Sequence, residues 1–366
     1  MKRSRPALEA TTATTVTQDG IELLAFHGCG YLGLAHDDRV RQAASDALSR
    51  YGVSGLASRS TTGTLDLHER LEERLADFLG TEAAIVIADG YLADMAITTA
   101  LRSAAGVVLH DTDAHPSLTD AAQAAGLKAF PYGAGDVTHA TALLDRFKDD
   151  SPLVMTDGIF AMHGRLAPIN DLLRYLPTGG LMLIDDCHGT GVLGQNGRGT
   201  LELFSVDDER ILLTGSFAKA LGSGGGFMAG TADLMASVRR HASPFIGTTA
   251  LAPPLAAAAI AAIDIIEGEP ERLERLRANT GQLHRSARRI GAAASSGTYF
   301  PVLRLDFDTS QEAESVSAAL HVNGIHAPAI QYPGATDRGT IRIAVNSEHT
   351  AAEIRRLEEA LELFGS

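Results

Sequence analysis

The stretch that decides the fold is RILLTGSFAKALGSGGG, residues 210–226. Its first part is a short apolar run, which predicts a buried strand that ends in a hydroxyl-rich turn. A single lysine, Lys219, follows the turn, and a run of glycines follows the lysine. Because glycine has no Cβ, such a run lets the backbone approach a flat ligand closely. The stretch therefore predicts a strand end at which one amine faces a bound small molecule.

Four other short apolar runs precede this one, and helical patterns separate them. The runs cover residues 83–89, 106–111, 151–158 and 181–186, and Gly, Asp or Ser bounds each of them. The clearest helical pattern covers residues 64–80, where leucines recur on one face and Gly80 provides the stop. Strands that alternate with helices in this way predict an α/β fold with a mostly parallel sheet covered on both faces.

The pattern changes after residue 250. An Ala-rich helix runs to about Gly268, a charged helix follows, and the remainder reads strand, helix, strand, helix. We therefore predict three parts: an N-terminal segment at 1–50, a large domain at 51–250, and a connecting helix with a small α/β domain at 251–366.

Composition excludes several classes of protein. The chain has 366 residues, with 45 acidic against 31 basic side chains and a formal net charge of −14, which disfavours a nucleic-acid partner. Neither a secretory signal nor an apolar run of about 20 residues is visible, so no membrane partner is predicted. Cys29 and Cys187 are too few for a disulfide framework. These features predict a soluble cytoplasmic protein, and no metal ligands are predicted.

Reactive residues follow the apolar runs. In open α/β sheets ligands bind at the carboxyl ends of the strands, so these residues carry the prediction of a site. In chain order they are Gly90, Tyr91, His115, Asp185, His188, Ser216 and Lys219. An amine can form a Schiff base, a carboxylate can pair with a pyridinium nitrogen, an imidazole can stack on a ring, and hydroxyls and helix-start amides can hold a phosphate. Together these groups predict pyridoxal 5'-phosphate (PLP) as the cofactor.

Four motifs, in order along the chain, resemble the α-oxoamine synthase family of fold-type-I PLP-dependent enzymes. They are SRSTTGTLDLHERLEERLADFLGTEAAI (58–85), DDCHGTGVLGQNGRG (185–199), SFAKALGSGGGFMAG (216–230) and FIGTTALAPP (245–254). The resemblance begins near YLGL at 31–34 and covers about nine-tenths of the chain. It implies the fold-type-I PLP transferase fold and a homodimer with shared active sites.

The resemblance also implies a role for each matching residue that contacts the cofactor ring. Lys219 would form the Schiff base and move protons at the substrate Cα. Asp185 would pair with the pyridine nitrogen, and His188 would hydrogen-bond the phenolic oxygen. His115 would stack over the ring.

The remaining matching residues would bind the phosphate and the substrate. The amides of Gly90 and Tyr91, together with Ser216, would hold the phosphate, and Thr248 would reach it from the neighbouring subunit. Arg342, within GTIRIAVN (339–346), would hold the carboxylate of an amino acid by a bidentate contact. The implied reaction condenses an amino acid with an acyl-CoA or another acyl thioester, loses CO₂ and yields an α-amino ketone.

The chain departs from the family pattern on the side of the amino acid. Cys29 occupies the place of an asparagine that helps to grip the substrate carboxylate, and FAMHG (160–164) replaces Phe-Ser-Met-Asp-Gly. Cys29 and His163 are therefore candidate substrate contacts, and Ala161 lacks the usual hydroxyl. These changes keep open an aldolase, racemase or aminotransferase acting at Cα. A cofactor-binding regulatory protein without turnover is the third alternative.

Overall fold

The computed structural model describes residues 7–162, 164–289, 300–330 and 338–363. Within these residues the chain forms two compact units. The larger unit comprises residues 37–160 and 166–269. The smaller unit comprises the described residues of 1–36, 161–165 and 270–366.

The strands and helices of the described residues are numbered in chain order. The strands are β1 (Ala10–Thr11), β2 (Thr15–Gln18), β3 (Ile21–Ala25), β4 (Ala83–Ile87), β5 (Val107–Asp111), β6 (Lys128–Tyr132), β7 (Pro152–Asp157), β8 (Leu181–Asp185), β9 (Ile211–Ser216), β10 (Gly226–Gly230), β11 (Val302–Phe307), β12 (Ile325–His326), β13 (Ala329–Ile330) and β14 (Gly339–Ala344). The helices are α1 (Asp38–Tyr51), α2 (Asp66–Leu79), α3 (Gly90–Ala100), α4 (Pro116–Ala125), α5 (Val137–Arg146), α6 (Ile169–Tyr175), α7 (Thr200–Phe204), α8 (Ala232–His241), α9 (Ser243–Gly247), α10 (Pro253–Gly268), α11 (Pro270–Arg289), α12 (Ser310–Val322) and α13 (Ala351–Glu362).

One sheet organises the larger unit. Among the described residues its strand order is β4-β10-β9-β8-β7-β5-β6, and every neighbouring pair from β9 to β6 is parallel. Strand β10 is the exception, because it runs antiparallel to both β4 and β9. Strands β7 and β9 are buried along their whole length, as expected where helices cover both faces of a parallel sheet. The predicted α/β fold with a mostly parallel sheet is confirmed.

The five strands predicted for the large domain are β4, β5, β7, β8 and β9, with ends within two residues of the prediction. The sequence reasoning missed β6 and β10. Strand β6 reads KAFPY and lies at the edge of the sheet, where Pro131 is tolerated and the alternation of apolar residues is weak. Strand β10 reads GFMAG, and its glycines suggest a loop rather than a strand.

The smaller unit has its own sheets and core. Strands β11, β14 and β13 form an antiparallel sheet, and β1, β2, β3 and β12 form another. The core combines Ile341 and Ile343 of β14 with Ile354 and Leu357 of α13. The predicted order of strand, helix, strand, helix appears as β11, α12, β14 and α13. Strands β12 and β13, of two residues each, are additional.

The compact units differ from the predicted domain ranges in two places. Residues before Asp37 belong to the smaller unit, because β3 pairs in parallel with β12 and the Leu24 amide donates to the Gly324 carbonyl over 2.9 Å. Helix α10, predicted to connect the domains, belongs to the larger unit, where it packs on α1 and α2. The division at 1–50, 51–250 and 251–366 itself stays a prediction. Separately, none of the helices described here combines the length and the apolar content that a membrane crossing requires.

Candidate active site

Three adjacent strands of the larger unit carry a row of polar side chains at or near their carboxyl ends. Asp157 of β7, Asp185 of β8 and Thr214 of β9 are register partners across the sheet. Because register partners on parallel strands face the same side, the row lies on one face of the sheet, toward the carboxyl ends of its strands. The Asp185 carboxylate is 7% exposed and accepts a hydrogen bond from the Cys187 amide over 2.9 Å. The predicted pyridinium partner is thus a buried carboxylate in a defined orientation.

A tight loop between β9 and β10 carries Lys219. The Phe217 amide donates to the Gly225 carbonyl over 3.0 Å, and the Gly222 amide donates to the Lys219 carbonyl over 3.0 Å. Gly225 has φ of +100°, a backbone conformation that a residue with a Cβ rarely adopts. The loop therefore needs its glycine to close, and it leaves Lys219 half-buried after the end of β9.

The start of α3 lies directly against the ends of β9 and β10. A Cβ added to Gly90 would lie 2.8 Å from the Cβ of Ser216, and one added to Gly226 would lie 2.5 Å from the Cα of Gly90. Both glycines therefore keep the first amides of α3 next to the Ser216 hydroxyl. A helix N-terminus with a neighbouring hydroxyl can hold a phosphate, so the predicted group of Gly90 and Ser216 is brought together.

Asp89 places a carboxylate at the start of α3 and accepts a hydrogen bond from one of its free amides. The Tyr91 amide, a predicted phosphate donor, donates instead to Asp89 Oδ1 over 2.8 Å, and Asp89 is exposed. A phosphate would have to compete with this carboxylate for the amide. The Tyr91 ring stands edge-on to the His115 ring, with centroids 6.0 Å apart.

His115 caps helix α4 and faces the row of acids. Its amide donates to Asp157 Oδ1 over 3.0 Å, and its Nδ1 accepts from the Ser117 amide over 3.3 Å. Burial lowers the pKa of His115, whereas the charge of Asp185 raises it and the charge of Lys219 lowers it. The structure therefore brings His115, Asp185 and Lys219 into one electrostatic environment.

His188 lies in the turn that follows Asp185. Both the Gly189 amide, over 3.0 Å, and the Thr190 amide, over 2.9 Å, donate to the Asp186 carbonyl. The Asp186 carboxylate is fully buried and accepts from the Thr190 hydroxyl over 3.0 Å; burial raises its pKa to about 7. This second aspartate of the motif orders the turn, and His188 is half-buried on it.

Two buried acids of the site were missed in the sequence. Burial first, and then the charge of Asp185, raises the pKa of Asp94 to about 8 and that of Asp157 well above its usual range. Asp157 could have been found, since it ends an apolar run as Asp185 does. Asp94 lies inside the largely apolar helix α3, and an acid buried there is itself a signal of function or pairing.

Thr248 follows helix α9. Its hydroxyl donates to the Pro244 carbonyl over 2.7 Å, within its own segment. The predicted contact of Thr248 with a phosphate in the neighbouring subunit stays a prediction.

Two further predicted residues meet in the smaller unit. Arg342 of β14 is 7% exposed; its Nη1 donates to the Gly28 carbonyl over 2.8 Å and its Nη2 to the Tyr31 hydroxyl over 2.9 Å. The same Nη2 lies 3.7 Å from Cys29 Sγ. Arg342 is thus a buried residue rather than an exposed strand arginine, and Tyr31 is a partner that the sequence reasoning missed. His163 lies outside the described residues.

Comparison with known proteins agrees with this geometry. The family model for aminotransferase class I and II matches residues 30–361. The 8-amino-7-oxononanoate synthase of Lysinibacillus sphaericus is 34% identical over 354 residues, which are 96% of this chain and 90% of that protein. The synthase of the same name from Halorhodospira halophila is 36% identical, over 95% of this chain and 87% of that protein.

Solved structures agree as well. Serine palmitoyltransferase from S. paucimobilis, with a bound PLP–myriocin aldimine, superposes with a TM-score of 0.93 at 26% identity. The match covers 99% of this chain and 93% of that chain.

The site fits PLP. Lys219, the buried Asp185, the ring of His115 and the close approach of Gly90 to Ser216 supply the groups that this cofactor requires. Its cofactor is PLP, and the protein is a PLP-dependent acyltransferase with the fold-type-I architecture. The chain belongs to the aminotransferase class I and II family and, within it, to the α-oxoamine synthases.

Proposed function

We propose that this enzyme condenses an amino acid with an acyl-CoA or another acyl thioester, with loss of CO₂, to give an α-amino ketone. The names of its relatives, 8-amino-7-oxononanoate synthase and serine palmitoyltransferase, support this reaction class. The observation that carries the proposal is Lys219 beside the buried row of Asp157 and Asp185. When bound, PLP supplies an electron sink that stabilises negative charge at the substrate Cα.

Residues of the larger unit bind the cofactor ring and move the proton at the substrate Cα. Lys219 binds the cofactor, then takes a proton from the substrate Cα and later returns one. Burial, and then the charge of Asp185, raises the pKa values of Asp94 and Asp157. Asp185, at the end of β8, is the carboxylate assigned to the ring nitrogen. His115 covers the ring, and His188 donates to its phenolic oxygen.

The phosphate is held at the start of α3. The Gly90 amide and the Ser216 hydroxyl bind it, and the Tyr91 amide joins them when the exposed Asp89 side chain turns away.

Arg342 binds the substrate carboxylate in this proposal. Its planar guanidinium suits a carboxylate, and the Gly28 carbonyl and Tyr31 hydroxyl hold it in one orientation. Cys29 lies beside Arg342 and, because a thiol is a weak hydrogen-bond donor, leaves Arg342 as the main group that holds the substrate carboxylate.

We also infer a homodimer in which Thr248 reaches the partner's site. The loop that carries Leu56 lies beside Thr248: the Ala250 amide donates to the Ala57 carbonyl over 3.0 Å, and Ser58 bridges to Thr249. Leu56 is 89% exposed and the nearby Val53 is 73% exposed, so this segment presents two apolar side chains that a partner subunit would cover. The cytoplasmic location stays a prediction.

The test compares the wild type with Lys219→Ala, and with Lys148→Ala as a matched control. Lys148 is an exposed lysine that pairs with Asp145, so its loss should change neither the absorption of bound cofactor nor the turnover. The visible absorption of bound cofactor is recorded first. Amino acids are then offered singly with a series of acyl-CoA thioesters, and release of free CoA and CO₂ is measured. Lys219→Ala should lose the absorption band and at least about a thousandfold in turnover.

The products decide between the proposed reaction and its rivals. Release of CoA and CO₂ together supports the condensation. Turnover of an amino acid without a thioester contradicts it and points to an aldolase, racemase or aminotransferase, the alternatives that Cys29 and Ala161 keep open. Bound cofactor that no amino acid perturbs would favour a protein without turnover.

A further inference from the structure

A buried chain of polar side chains leads from α3 to the ring of His115. Asp94 Oδ2 lies 2.6 Å from Ser117 Oγ, and Ser117 Oγ lies 2.7 Å from His115 Nδ1. The other carboxylate oxygen, Asp94 Oδ1, accepts from the Thr214 hydroxyl over 2.6 Å. Asp94 and Ser117 are each 1% exposed, so water does not compete for these contacts.

The number of available protons restricts how this chain can be hydrogen-bonded. The Ser117 amide donates to His115 Nδ1, so Nδ1 carries a lone pair and the ring proton sits on Nε2. An unprotonated Nδ1 cannot donate, so its 2.7 Å contact with Ser117 Oγ is a hydrogen bond only if the hydroxyl donates its one proton to the lone pair, which the amide at 3.3 Å shares more weakly. The hydroxyl then has no proton left for Asp94, and the 2.6 Å contact needs a proton that comes from Asp94.

The opposite arrangement creates a conflict. If Asp94 were ionised, Ser117 would donate to it, and His115 Nδ1 would have to carry a proton to bond the Ser117 hydroxyl. The Ser117 amide, 3.3 Å from Nδ1, would then point its N–H at another N–H. That arrangement loses an amide bond at the start of α4 and places a second negative charge near Asp185.

Electrostatics also favours a protonated Asp94 carboxyl group. Burial, and then the charge of Asp185, raises the pKa of Asp94 to about 8, although hydrogen bonds and Lys219 act against the shift. Asp157, Cys187 and Tyr91 are further ionisable groups near Asp94, and the charge of Asp94 raises the pKa of each.

We propose that Asp94 is a positioning residue that carries a proton on Oδ2 and, through the Ser117 hydroxyl, holds His115 in the tautomer protonated at Nε2. The inference rests on the proposed function for its consequence. The proposed function assigns the His115 ring to cover the cofactor, and Asp94 fixes which nitrogen of that ring carries the proton. Above about pH 8 Asp94 releases its proton to solvent, the Ser117 hydroxyl turns to Asp94, and Nδ1 loses its hydroxyl donor.

Asp94→Asn is the informative variant. The amide nitrogen can donate to Ser117 Oγ and the amide oxygen can accept from Thr214, so the side chain copies protonated Asp94 at every pH. Ser117→Ala is the second variant, because it cuts the link and leaves Asp94 in place. Thr214 remains in both.

Two measurements on the holoenzyme follow the protons without relying on activity. Infrared difference spectra of ¹³C-Asp-labelled protein, between about pH 6.5 and about pH 9.5, report protonated carboxyl groups. Nitrogen-15 spectra of His-labelled protein, with His115 assigned through His115→Asn, report the tautomer. Since burial also raises the pKa values of Asp157 and Asp186, the band of Asp94 is the one that is present in the wild type and absent from Asp94→Asn. We expect the wild type to lose this band, and to change its His115 signals, near pH 8.

The variants should separate the steps. Asp94→Asn should lack that band and keep His115 Nδ1 unprotonated across the whole range. Ser117→Ala should keep the band but lose the pH response of His115. A protonated Nδ1 in the wild type at neutral pH, or the same His115 titration in the wild type and Asp94→Asn, overturns the proposal.

Failure of this inference differs from failure of the proposed function. Normal cofactor absorption and CoA release with the wrong tautomer would contradict only the role of Asp94. The expected tautomer with no CoA release would contradict only the condensation reaction.

Discussion

At the scale of single residues, Asp89 is the side chain that opposes the proposed phosphate site. Its carboxylate caps α3 and occupies the Tyr91 amide. We predict that Asp89→Ser binds PLP about two- to fivefold more tightly, because serine also caps helices but carries no charge to repel the phosphate. Titration of the apoenzyme with PLP, followed by absorbance, measures the change.

Asp136→Ser is the matched control for this change. Asp136 caps α5 by accepting from the His139 amide, so the same substitution there tests the effect of a changed cap alone. The control should leave PLP affinity unchanged. Weaker binding by Asp89→Ser would show that Asp89 assists the phosphate site rather than opposing it.

Single residues also show which candidate contacts a sequence can indicate. Lys219, Asp185 and His115 are predicted because each lies at or after a strand end that the apolar pattern indicates, and their roles stay predictions. The hydrogen-bond network of Asp94 could not be predicted, since its partners Ser117 and Thr214 come from other elements of the chain. Only folding makes one acid in an apolar helix part of a network.

At the scale of elements, the contact between α3 and β10 places the phosphate donors. A Cβ at Gly226 would lie 2.5 Å from the Gly90 Cα, so Gly226→Ala must push the helix start away from the sheet. We predict a loss of at least about tenfold in PLP affinity and of about 1–3 kcal/mol in the free energy of unfolding. PLP titration and denaturant unfolding of the same variant measure the two effects.

Gly268→Ala is the matched control for the element. Gly268 ends α10, and a Cβ there would have no neighbour within 4 Å. This variant should keep wild-type PLP affinity and be as stable as the wild type or slightly more stable. An unchanged PLP affinity in Gly226→Ala would show that the helix start does not hold the phosphate.

At the scale of the whole molecule, the exposed Leu56 loop is the surface that we assign to the proposed dimer interface. Leu56 is 89% exposed and has φ of +62°, a conformation that costs a branched side chain free energy. We predict that the wild type is a dimer and that Leu56→Asp shifts it toward monomer, because a charge would be buried in the interface. Sedimentation velocity over a range of concentrations measures the shift.

Val322→Asp is the control for the whole molecule. Val322 is 86% exposed and lies at the end of α12 in the smaller unit, so it tests the general effect of a charge on an exposed apolar residue. The control should sediment as the wild type does. A wild-type monomer, or a Leu56→Asp protein that sediments unchanged, would contradict the proposed homodimer.

The sequence by itself determined the fold class, the five apolar strands of the large domain and the cofactor, and it indicated candidate contacts for that cofactor, which stay predictions. These features are local: an apolar run, a glycine loop or a motif is written in consecutive residues, and parallel strands align their ends by the geometry of the sheet. Lys219 is the clearest case, since the loop that holds it is closed by its own glycines.

Only the tertiary structure decided which distant residues share a network. It buried Asp94 beside Asp185, set Arg342 against Tyr31, and ran β10 antiparallel between β4 and β9. The physical reason is that burial, pKa and close approach depend on partners tens to hundreds of positions away in the chain, which no local pattern specifies. The Ser117 hydroxyl shows this most directly, because the direction of its one proton depends on Asp94 and His115 together.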